Sequence, residues 1–335
     1  MIRKGVESTR AGKDLPMLGI DVAKDNLVCT LVDPATRHTL WERTVPNTAA
    51  GVNCLLHVTP EDTAWVLEPT GQYSTWVVKQ AKAAQRPVLL APPRQAKSFL
   101  RSVQSRAKTD RLDSRGLALF ALSQPLASFP LKSETVERLD QLLAARKGLA
   151  RAIISLGQQR AELPHAKDAL TRAIDELLAQ QKALDQQVAA LSASVPELAA
   201  TAALRKVPGI GPVTAAAVAA RLSSGRFSHP DKFVAYIGLD IGVVQSGRRK
   251  GERGLTKQGD AEFRRLLYLC AKASLRAKNS PFKHQYEREK AKGLANKAAL
   301  CAVARKMAKV CWSIAQHGSE YDPGRVYQPP QVKTA

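Results

Sequence analysis

The chain has 335 residues, enough for two domains or one domain with a large insertion, and its hydrophobic fraction of 44% is enough to build a core. Its formal net charge of +22 at pH 7 means that basic side chains repel one another in a compact state, which predicts a polyanionic partner. Nucleic acid is a better candidate for this partner than an anionic membrane surface. No run approaches the roughly 18 apolar residues that span a bilayer, which argues against a membrane-spanning protein.

Strands alternate with helices in the N-terminal segment, which we delimit at residues 16–125. Strands are predicted at 17–22, 27–33, 38–45, 63–71 and 86–93. Helices are predicted at 47–58, 73–85, 94–104 and 109–124. The first three strands form an antiparallel meander, and the later strands are added in parallel through helical crossovers. This order, βββαβαβα, is typical of an α/β domain with an RNase H-like fold.

A second segment, 126–200, combines a linker with a long helical region. Prolines punctuate the linker up to about residue 133, and beyond it Leu, Ala, Gln, Arg and Glu recur at helical spacing. The break at "LPHAKD" (163–168) predicts an antiparallel helical hairpin, or coiled coil. Its apolar stripes pack either within the chain or against a second copy, and the sequence alone leaves both open.

A third and mostly helical segment is predicted at 201–317. It contains "VPGIGPVTA" (207–215), in which Gly209 and Gly211 allow a tight bend. The bend fits a helix-hairpin-helix turn whose backbone N–H groups face a phosphate, or a plain turn between two helices. Two more helices are predicted within 280–317.

The two ends of the chain, 1–15 and 318–335, are predicted to be disordered tails. The first is basic but lacks the apolar stretch of a signal peptide. Five cysteines have no CxxC spacing and six histidines are isolated, which indicates reduced thiols rather than a disulfide framework or a zinc site. We therefore expect a cytoplasmic bacterial protein, associated with the nucleoid when active and without membrane contact.

Four carboxylates fall at the ends of elements in the N-terminal domain. Asp21 ends the first strand and Glu68 ends the fourth, and these strands are neighbours in an RNase H-like sheet. Asp110 and Asp113 are three residues apart and therefore share a helix face. Four converging carboxylates repel one another unless divalent cations lie among them, and Mg²⁺ is a hard ion that carboxylates and water bind. The quartet predicts a site for two Mg²⁺ ions, an arrangement suited to phosphoryl transfer.

Each acid taken alone has a simpler explanation. Asp21 and Glu68 would be polar residues at strand ends. Asp110 would cap its helix, and Asp113 would pair with a neighbouring arginine. The combination favours the metal site, because each acid falls where the fold would need it.

A basic stretch follows the apolar segment "FVAYIGL". Between residues 246 and 276, nine basic residues outnumber three acidic ones, and four glycines interrupt the first half. This pattern predicts a flexible loop rather than a helix, which either grips phosphodiesters or is merely a solvated basic loop. The residues predicted to bind nucleic acid are Gly209, Gly211, Arg248, Arg249, Lys250, Arg253, Lys257, Arg264 and Arg265.

The acidic segments "GIDVAKDNL", "LEPTGQY" and "AKTDRLDSRGLA" resemble those of the RuvC-like domain of one group of transposases. These are the insertion-sequence transposases of the family numbered one-hundred-ten, which are bridge-RNA-guided recombinases. The resemblance covers about residues 17–317. It implies a RuvC-like domain with the four acids, a helical hairpin and a C-terminal transposase domain with a catalytic serine.

The resemblance also implies which serine is the nucleophile. In the family, a serine followed by glycine, by basic residues and by a [ST]-K-x-G element joins covalently to DNA. Ser246-Gly247 and Thr256-Lys257-Gln258-Gly259 match these elements, although the loop between them is richer in Arg and Lys. Without the resemblance, Ser246 would be interpreted as a turn residue. A serine hydroxyl needs activation, and metals held by the acids would supply it if the two domains meet.

Partners follow from the same resemblance. It implies double-stranded DNA at the element ends and at the target, and a guide RNA transcribed from the element. It is also compatible with a homo-oligomer, a dimer or a dimer of dimers, whose active sites are completed between subunits.

Three other functions remain open from the sequence. A Holliday-junction-type nuclease would use the metals without a serine nucleophile. A basic nucleic-acid-binding protein would carry a degenerate nuclease fold and no activity. An actin-like sugar kinase or ATPase would share "GIDVAK", but it needs glycine-rich phosphate loops that residues 63–124 do not show.

Overall fold

The chain forms two compact units, residues 1–132 and 133–335. The structure, a computed structural model, describes residues 15–103, 109–223, 225, 227–246 and 249–326. At 243–246 and 249–253 it describes the backbone alone. The first unit is a mixed α/β fold and the second is mainly helical, as the sequence predicts.

A five-stranded mixed sheet forms the base of the first unit. Its strands are β1 (Met17–Val22), β2 (Asn26–Val32), β3 (Thr39–Pro46), β4 (Ala64–Leu67) and β5 (Val88–Leu90). Its helices are α1 (Ala49–Val58), α2 (Gln72–Ala83), α3 (Pro93–Val103) and α4 (Asp110–Ser123). The strand order is β3-β2-β1-β4-β5. The first three strands are antiparallel, and β4 and β5 are added in parallel beside β1.

Helices cover both faces of this sheet. Leu18 and Ile20 of β1 lie in one core cluster with side chains of α1 and α2. Met17 of β1 and Val66 of β4 lie in a second cluster with side chains of α3 and α4. Strands buried on both faces consist of nearly continuous apolar runs, which is why their positions are visible in the sequence.

The elements of the first unit follow the predicted order and type, but two strands are shorter than predicted. β4 ends at Leu67, whereas the prediction extends to residue 71. Pro69 lies just beyond this end, and a proline has no N–H to donate to a strand ladder. β5 ends at Leu90, two residues before Pro92 and Pro93, for which the same reason holds.

The second unit consists of helices and one small β-hairpin. Its helices are α5 (Glu134–Glu162), α6 (Lys167–Ser194), α7 (Ala200–Leu204), α8 (Pro212–Leu222), α9 (Pro230–Ile237), α10 (Ala261–Ser274), α11 (Pro281–Ala291) and α12 (Asn296–His317). Its strands are β6 (Ile241–Ser246) and β7 (Arg249–Leu255), which pair antiparallel. Short 3₁₀ turns occur at Pro164–Ala166, Pro196–Leu198 and Pro323–Arg325.

The predicted helical hairpin is present as α5 and α6. Arg146 of α5 donates to Asp185 of α6 with an Nη2–Oδ2 distance of 3.2 Å. At the base of the hairpin, Leu139 and Val188 are fully buried in the same core as α8 and α12. The hairpin is therefore part of the second unit, whereas the sequence separates it from the C-terminal segment. The change of composition near residue 134 coincides with the start of the second unit, whereas the change near residue 200 lies within that unit.

The prediction of a flexible or backbone-exposing loop after Ser246 is wrong for residues 249–255, whereas the helix expected beside it is present. The stretch contains β7, which pairs with β6 with Ser246 opposite Arg249, and then the helix α10. Glycine is common in short hairpin connections as well as in flexible loops, so the glycine content was misleading. The two connecting residues, Gly247 and Arg248, lie outside the described residues.

The C-terminal end also differs from its prediction. Val326 is buried in the core of the second unit, and Tyr321 packs against the same core. The disorder predicted from Gly318 onward is therefore wrong as far as residue 326. Residues 1–14 and 327–335, the rest of the two predicted tails, lie outside the described residues. Within the described part of the chain, no helix combines the length and hydropathy needed to cross a membrane.

Candidate active site

Asp21 and Glu68 lie level with each other on neighbouring strands. β1 and β4 are parallel, and Ile20 is paired with Leu67, so the next residue of each chain is Asp21 and Glu68. Both are half-buried. A carboxylate in such a place is unusual unless it is paired or serves a function, because a charge loses hydration there.

Asp21 belongs to the sheet face that α4 covers, the face on which Val66, two residues before Glu68, also lies. Side chains alternate along a strand, so Asp21 shares its face with Gly19 and Met17. A Cβ atom on Gly19 would lie 1.9 Å from the carbonyl oxygen of Ser114, which shows that α4 passes directly over β1 at this point. The hydroxyls of Thr30 on β2 and Ser114 are hydrogen-bonded at 2.7 Å and fix the helix on the sheet.

The other two acids occupy the first turn of α4. The Thr109 hydroxyl caps the helix by accepting from the N–H of Leu112 at 3.3 Å. Asp110 is exposed and lies one helical turn before Ser114, the residue of α4 that approaches Gly19. Asp113 is half-buried and directly precedes Ser114. The positive end of the helix dipole stabilises both carboxylates, so their position also has a purely structural benefit.

The four acids are not assembled into one ligand cluster. Among the residues that the structure describes, no three His, Cys, Asp or Glu side chains are close enough together to hold a metal ion. Asp21, Glu68 and Asp113 each interact with another group. The structure does not bring all four carboxylates together. It places Asp21 and Glu68 at neighbouring positions. Their oxygen donors fit Mg²⁺ in chemical type, since Mg²⁺ prefers carboxylates and water.

Ser246 is the last residue of β6, in the second unit. Its main-chain partner across the hairpin is Arg249. Of the basic residues predicted to bind nucleic acid here, Arg249, Lys250 and Arg253 lie on β7.

The predicted Thr256-Lys257-Gln258-Gly259 element follows β7 and is held firmly in place. The Thr256 hydroxyl donates to the carboxylate of Asp240 at 2.5 Å, and the Thr256 N–H donates to the Asp240 carbonyl at 2.9 Å. Lys257 is exposed, with a left-handed φ of 54°. Gly259 has a φ of 144°, and a Cβ there would lie 2.1 Å from the Tyr236 carbonyl oxygen. The element therefore joins the hairpin to α9 and leaves Lys257 at the surface.

Asp260 fixes the start of α10 next to this element. Its carboxylate accepts from the N–H of Phe263 at 2.9 Å and from Nη2 of Arg221 at 2.9 Å. Burial opposes ionisation, but the Phe263 N–H and the Arg221 guanidinium outweigh it and lower the pKa of Asp260. The same guanidinium lies 4.8 Å above the centre of the Phe263 ring. Asp140 of α5 lies 3.6 Å from Nη1 of Arg221, so this group also connects the helical hairpin to α10.

Two arginines predicted to bind nucleic acid have intramolecular partners. Arg264 is half-buried and donates to the carbonyl of Ile237 at the end of α9, at 2.8 Å. Arg265 forms a double contact with Glu262 one turn earlier, and this hydrogen-bonded carboxylate raises the pKa of Arg265. Both contacts explain why arginine occurs at these positions without a nucleic acid.

Of the two glycines predicted to face a phosphate, Gly209 has a packing role in the structure. Gly209 has a left-handed φ of 87°, and a Cβ there would lie 2.3 Å from the carbonyl oxygen of Cys270 in α10. Gly211 is the N-cap residue of α8, and a Cβ there would meet no heavy atom within 4 Å. Burial raises the pKa of Cys270, and its hydrogen bonds with the Thr214 hydroxyl and the Gly211 backbone only partly oppose this rise. The close contact at Gly209 explains that glycine as a turn between helices, and phosphate binding by this turn stays a prediction.

One group of basic residues was not singled out from the sequence. It lies on α11, α12 and the following 3₁₀ turn, and it lines an open cavity. The sequence signal was available as repeated Arg and Lys within 280–317, but the amphipathic pattern of a core helix obscured it.

Comparisons with known proteins find family domains in both units. A model of the DEDD domain of IS110-type elements, described as "Transposase", matches residues 18–163. A model described as "Transposase IS116/IS110/IS902 family" matches residues 201–287. The two models together cover both the strands that carry the acids and the hairpin that carries Ser246.

Among curated proteins, the chain is similar to "Transposase for insertion sequence element IS1328" of Yersinia enterocolitica, with 29% identity over 122 residues. That stretch covers 35% of this chain and only 36% of the Yersinia protein. It is also similar to the "Pilin gene-inverting protein" of Moraxella bovis, with 24% identity over 318 residues, 91% of this chain and 97% of the relative.

Among solved structures, T. thermophilus RuvC in complex with a Holliday junction substrate aligns with 34% of this chain and 99% of its own. The identity is 18% and the TM-score is 0.27. The two family models and the curated relatives agree with one another over both units. The chain belongs to the IS110 family of transposases, enzymes that act in DNA recombination.

Proposed function

We propose that this transposase cleaves and rejoins DNA strands through a covalent intermediate on Ser246, with divalent cations held by Asp21, Glu68, Asp110 and Asp113. The observation that carries the proposal is the level placement of Asp21 and Glu68 on neighbouring parallel strands. Asp21 lies on the sheet face covered by α4, whose first turn contributes two more acids. The strand order β3-β2-β1-β4-β5 supports an RNase H-like, RuvC-like fold for this unit.

The four carboxylates would hold Mg²⁺, in a site of two ions. When bound, such ions supply positive charge that stabilises the extra negative charge of a phosphoryl-transfer transition state. The chain contributes the carboxylates and the rigid elements that hold them. The strand register fixes the positions of Asp21 and Glu68. The contact of α4 with Gly19 fixes the position of Asp113.

The serine step balances without an outside energy source. The Ser246 oxygen attacks the phosphorus, the Oγ–P bond forms and the P–O bond of the DNA strand breaks. The serine proton leaves, and the departing DNA oxygen gains a proton. A hydroxyl of another strand then attacks the same phosphorus and releases Ser246, so the number of phosphodiester bonds is conserved.

The partners in this proposal are double-stranded DNA and a guide RNA encoded by the element. The charge of +22 supports more than one polyanionic partner. Delegating sequence recognition to base pairing would leave the protein mainly with backbone contacts. The name of the Moraxella relative suggests inversion of a DNA segment as one outcome of such strand exchange.

The second candidate function is a metal-dependent nuclease of the Holliday-junction type. The same placement of Asp21 and Glu68 supports it, because metal ions held by these acids would hydrolyse a phosphodiester without a serine nucleophile. It predicts free DNA ends, whereas the serine proposal predicts a covalent adduct and rejoined strands.

The test is an assay with donor DNA, target DNA, the flanking RNA of the element and Mg²⁺, in which denatured reactions are examined for protein–DNA adducts. We expect an adduct with the wild type and with Ser228→Ala, an exposed serine of the same unit, and no adduct with Ser246→Ala. We expect Asp21→Asn to abolish the adduct as well. Cleavage that persists in Ser246→Ala, without an adduct in the wild type, would support the nuclease instead. Activity without the RNA would remove the guide from the proposal.

A further inference from the structure

An open, polar cavity of about 730 Å³ lies between α11, α12 and the 3₁₀ turn that follows them. We call it the α11–α12 groove. Its basic lining residues are Arg288, Lys292, Arg305, Lys306, Lys309 and Arg325.

The positive charge of the groove is only partly neutralised by the protein. Among the described lining residues the single carboxylate is Glu289, which is 9% exposed and accepts from Gln285, Arg288 and Lys292. Lys309 pairs with a carboxylate outside the groove, Asp231, at 2.5 Å. Arg325 pairs with Asp322, also outside the groove, at 3.5 Å. Glu289 is the one carboxylate among the described lining residues, and Asp231, which pairs with Lys309, also attracts Arg305.

Arg305 and Lys306 are the two cations at the centre of this imbalance. Neither forms an ion pair within the part of the chain that the structure describes. Lys306 is half-buried, and burial, followed by repulsion from Lys309 and Arg288, lowers its pKa. Cations held together against their own repulsion indicate a site that an anion would stabilise.

The lining also indicates which kind of anion fits. Arginine forks match the oxygens of a phosphate, and lysine adds charge without a directional requirement. The lining residues of the described chain include no aromatic ring on which a base would stack. Such a surface holds a phosphate backbone and does not read bases.

We propose that the α11–α12 groove binds the phosphodiester backbone of a nucleic acid strand, independently of its base sequence. The inference rests on the proposed function, because the strand bound in the groove would be one of the nucleic acids of that reaction. The groove is formed by residues far along the chain from the Ser246 hairpin. Arg305 and Lys306 make the principal contacts. DNA and RNA share this chemistry, and the experiment distinguishes them.

The experiment measures equilibrium binding of the full chain to a duplex DNA and, separately, to a structured RNA, over a series of salt concentrations and in EDTA. The test variant is Arg305→Gln/Lys306→Gln. The matched control, Arg172→Gln/Lys182→Gln, removes the same two charges from exposed positions of α6. We expect the test variant to bind about tenfold more weakly and its salt slope on duplex DNA to fall by about 1.8, while the control stays near wild type.

Each outcome of the binding experiment either supports or refutes the proposed backbone binding by the groove. A loss confined to DNA or to RNA identifies the strand that the groove holds, and a loss on both means that the groove accepts either. Wild-type affinity and slope of the test variant on both probes would overturn the proposal. Arg305→Lys/Lys306→Arg keeps the charges and is expected to keep the slope. If this variant folds but binds as weakly as the test variant, the electrostatic explanation is refuted.

This test does not depend on the chemistry proposed for Ser246 or Asp21, because EDTA prevents metal-dependent reaction and only binding is measured. Ser246→Ala is expected to bind as the wild type does. Failure of strand transfer with intact groove binding would therefore count against the proposed reaction alone.

Discussion

Asp21 and Glu68 are the residues whose position is hardest to explain by stability alone. Asp21 lies near the end of β1 and Glu68 directly follows β4, each one residue after the paired residues Ile20 and Leu67. Like charges so placed repel each other unless a cation or donor offsets them. A protein selected only for stability would place apolar or neutral residues there.

This reasoning predicts separate effects of Asp21→Asn on activity and on stability. We expect strand transfer to fall by about 10³-fold, because the change removes a metal-binding oxygen and its charge. We expect the midpoint of thermal unfolding to stay the same or to rise, because a charge is removed from a half-buried place. Asp62→Asn, at an exposed position of the same unit, is the control for both measurements. Full activity of Asp21→Asn would contradict the assignment of this acid.

Gly19 gives a second prediction at the residue scale. Its missing side chain lets α4 approach β1, and a Cβ would lie 1.9 Å from Ser114 O and 2.8 Å from Ala118 N, both backbone atoms. We expect Gly19→Ala to lower the free energy of unfolding by about 3 kcal/mol in chemical denaturation.

The control for Gly19 is another glycine-to-alanine change, Gly148→Ala in α5. No heavy atom would lie within 4 Å of a Cβ there. Alanine favours a helix over glycine by about 1 kcal/mol, so this variant is expected to be more stable than the wild type. Equal effects of the two changes would show that the contact of α4 with β1 is not as close as described.

At the scale of elements, α10 is fixed by Asp260, which caps the helix and binds Arg221. The lowered pKa of Asp260 means that its contribution to stability is present above its unfolded pKa, near 4. The contribution is lost as the pH falls through the lower, folded pKa. Asparagine keeps the cap but removes the charge.

We therefore expect Asp260→Asn to lower the unfolding midpoint by about 2–4 °C at neutral pH, which corresponds to about 1 kcal/mol in a unit of this size. The difference from wild type should be constant down to about pH 5 and should shrink below about pH 4. Calorimetry over this pH range measures it. A difference that grows on acidification would mean that Asp260 is protonated in the folded protein.

The elements also show what the sequence can predict and what it cannot. Apolar runs locate β1, β2 and β4 because both faces of the sheet are covered. The cap of α4 is Thr109 rather than Asp110, the residue that the sequence offered as a cap. The pairing of β6 with β7 was missed because glycines and charges resemble a loop when the partner strand is not considered. Strand register and tertiary contacts are not encoded in local periodicity.

The same distinction applies to the candidate site. The four acids are visible as carboxylates at element ends, but their mutual distances depend on side-chain rotamers and on a bound cation. Arg264 and Arg265 look like nucleic-acid contacts in sequence, and their partners, Ile237 and Glu262, appear only in the fold. The α11–α12 groove was missed because its residues are shared among three elements.

At the scale of the whole molecule, the helical hairpin leaves large apolar side chains in solvent. Ile154 of α5 is 63% exposed and Leu178 of α6 is 46% exposed. The contact of Arg146 with Asp185 sets the alignment of the two helices and places these residues at a similar height. Exposed apolar residues at one level of a hairpin favour contact with a second copy, the second of the two alternatives that the sequence leaves open for this hairpin.

We expect Ile154→Arg/Leu178→Arg to shift the protein toward monomer in sedimentation experiments. The reason is that the free energy needed to bury two arginine charges exceeds the free energy that the apolar contact contributes. The control is Leu40→Arg, at an apolar residue of β3 that is 55% exposed in the other unit. A wild-type protein that sediments as a monomer, with and without nucleic acid, would refute a role of the hairpin in assembly.

The most direct measurement of the central claim identifies the residue that carries DNA during the reaction. Wild-type protein is reacted with its DNA, RNA and Mg²⁺, denatured, digested with nuclease and protease, and analysed by mass spectrometry for a nucleotide on a peptide. The account predicts a nucleotide on the Ser246 hydroxyl, and its absence when Asp21→Asn replaces the wild type. A nucleotide on another residue, or efficient strand exchange with no modified peptide, would contradict it.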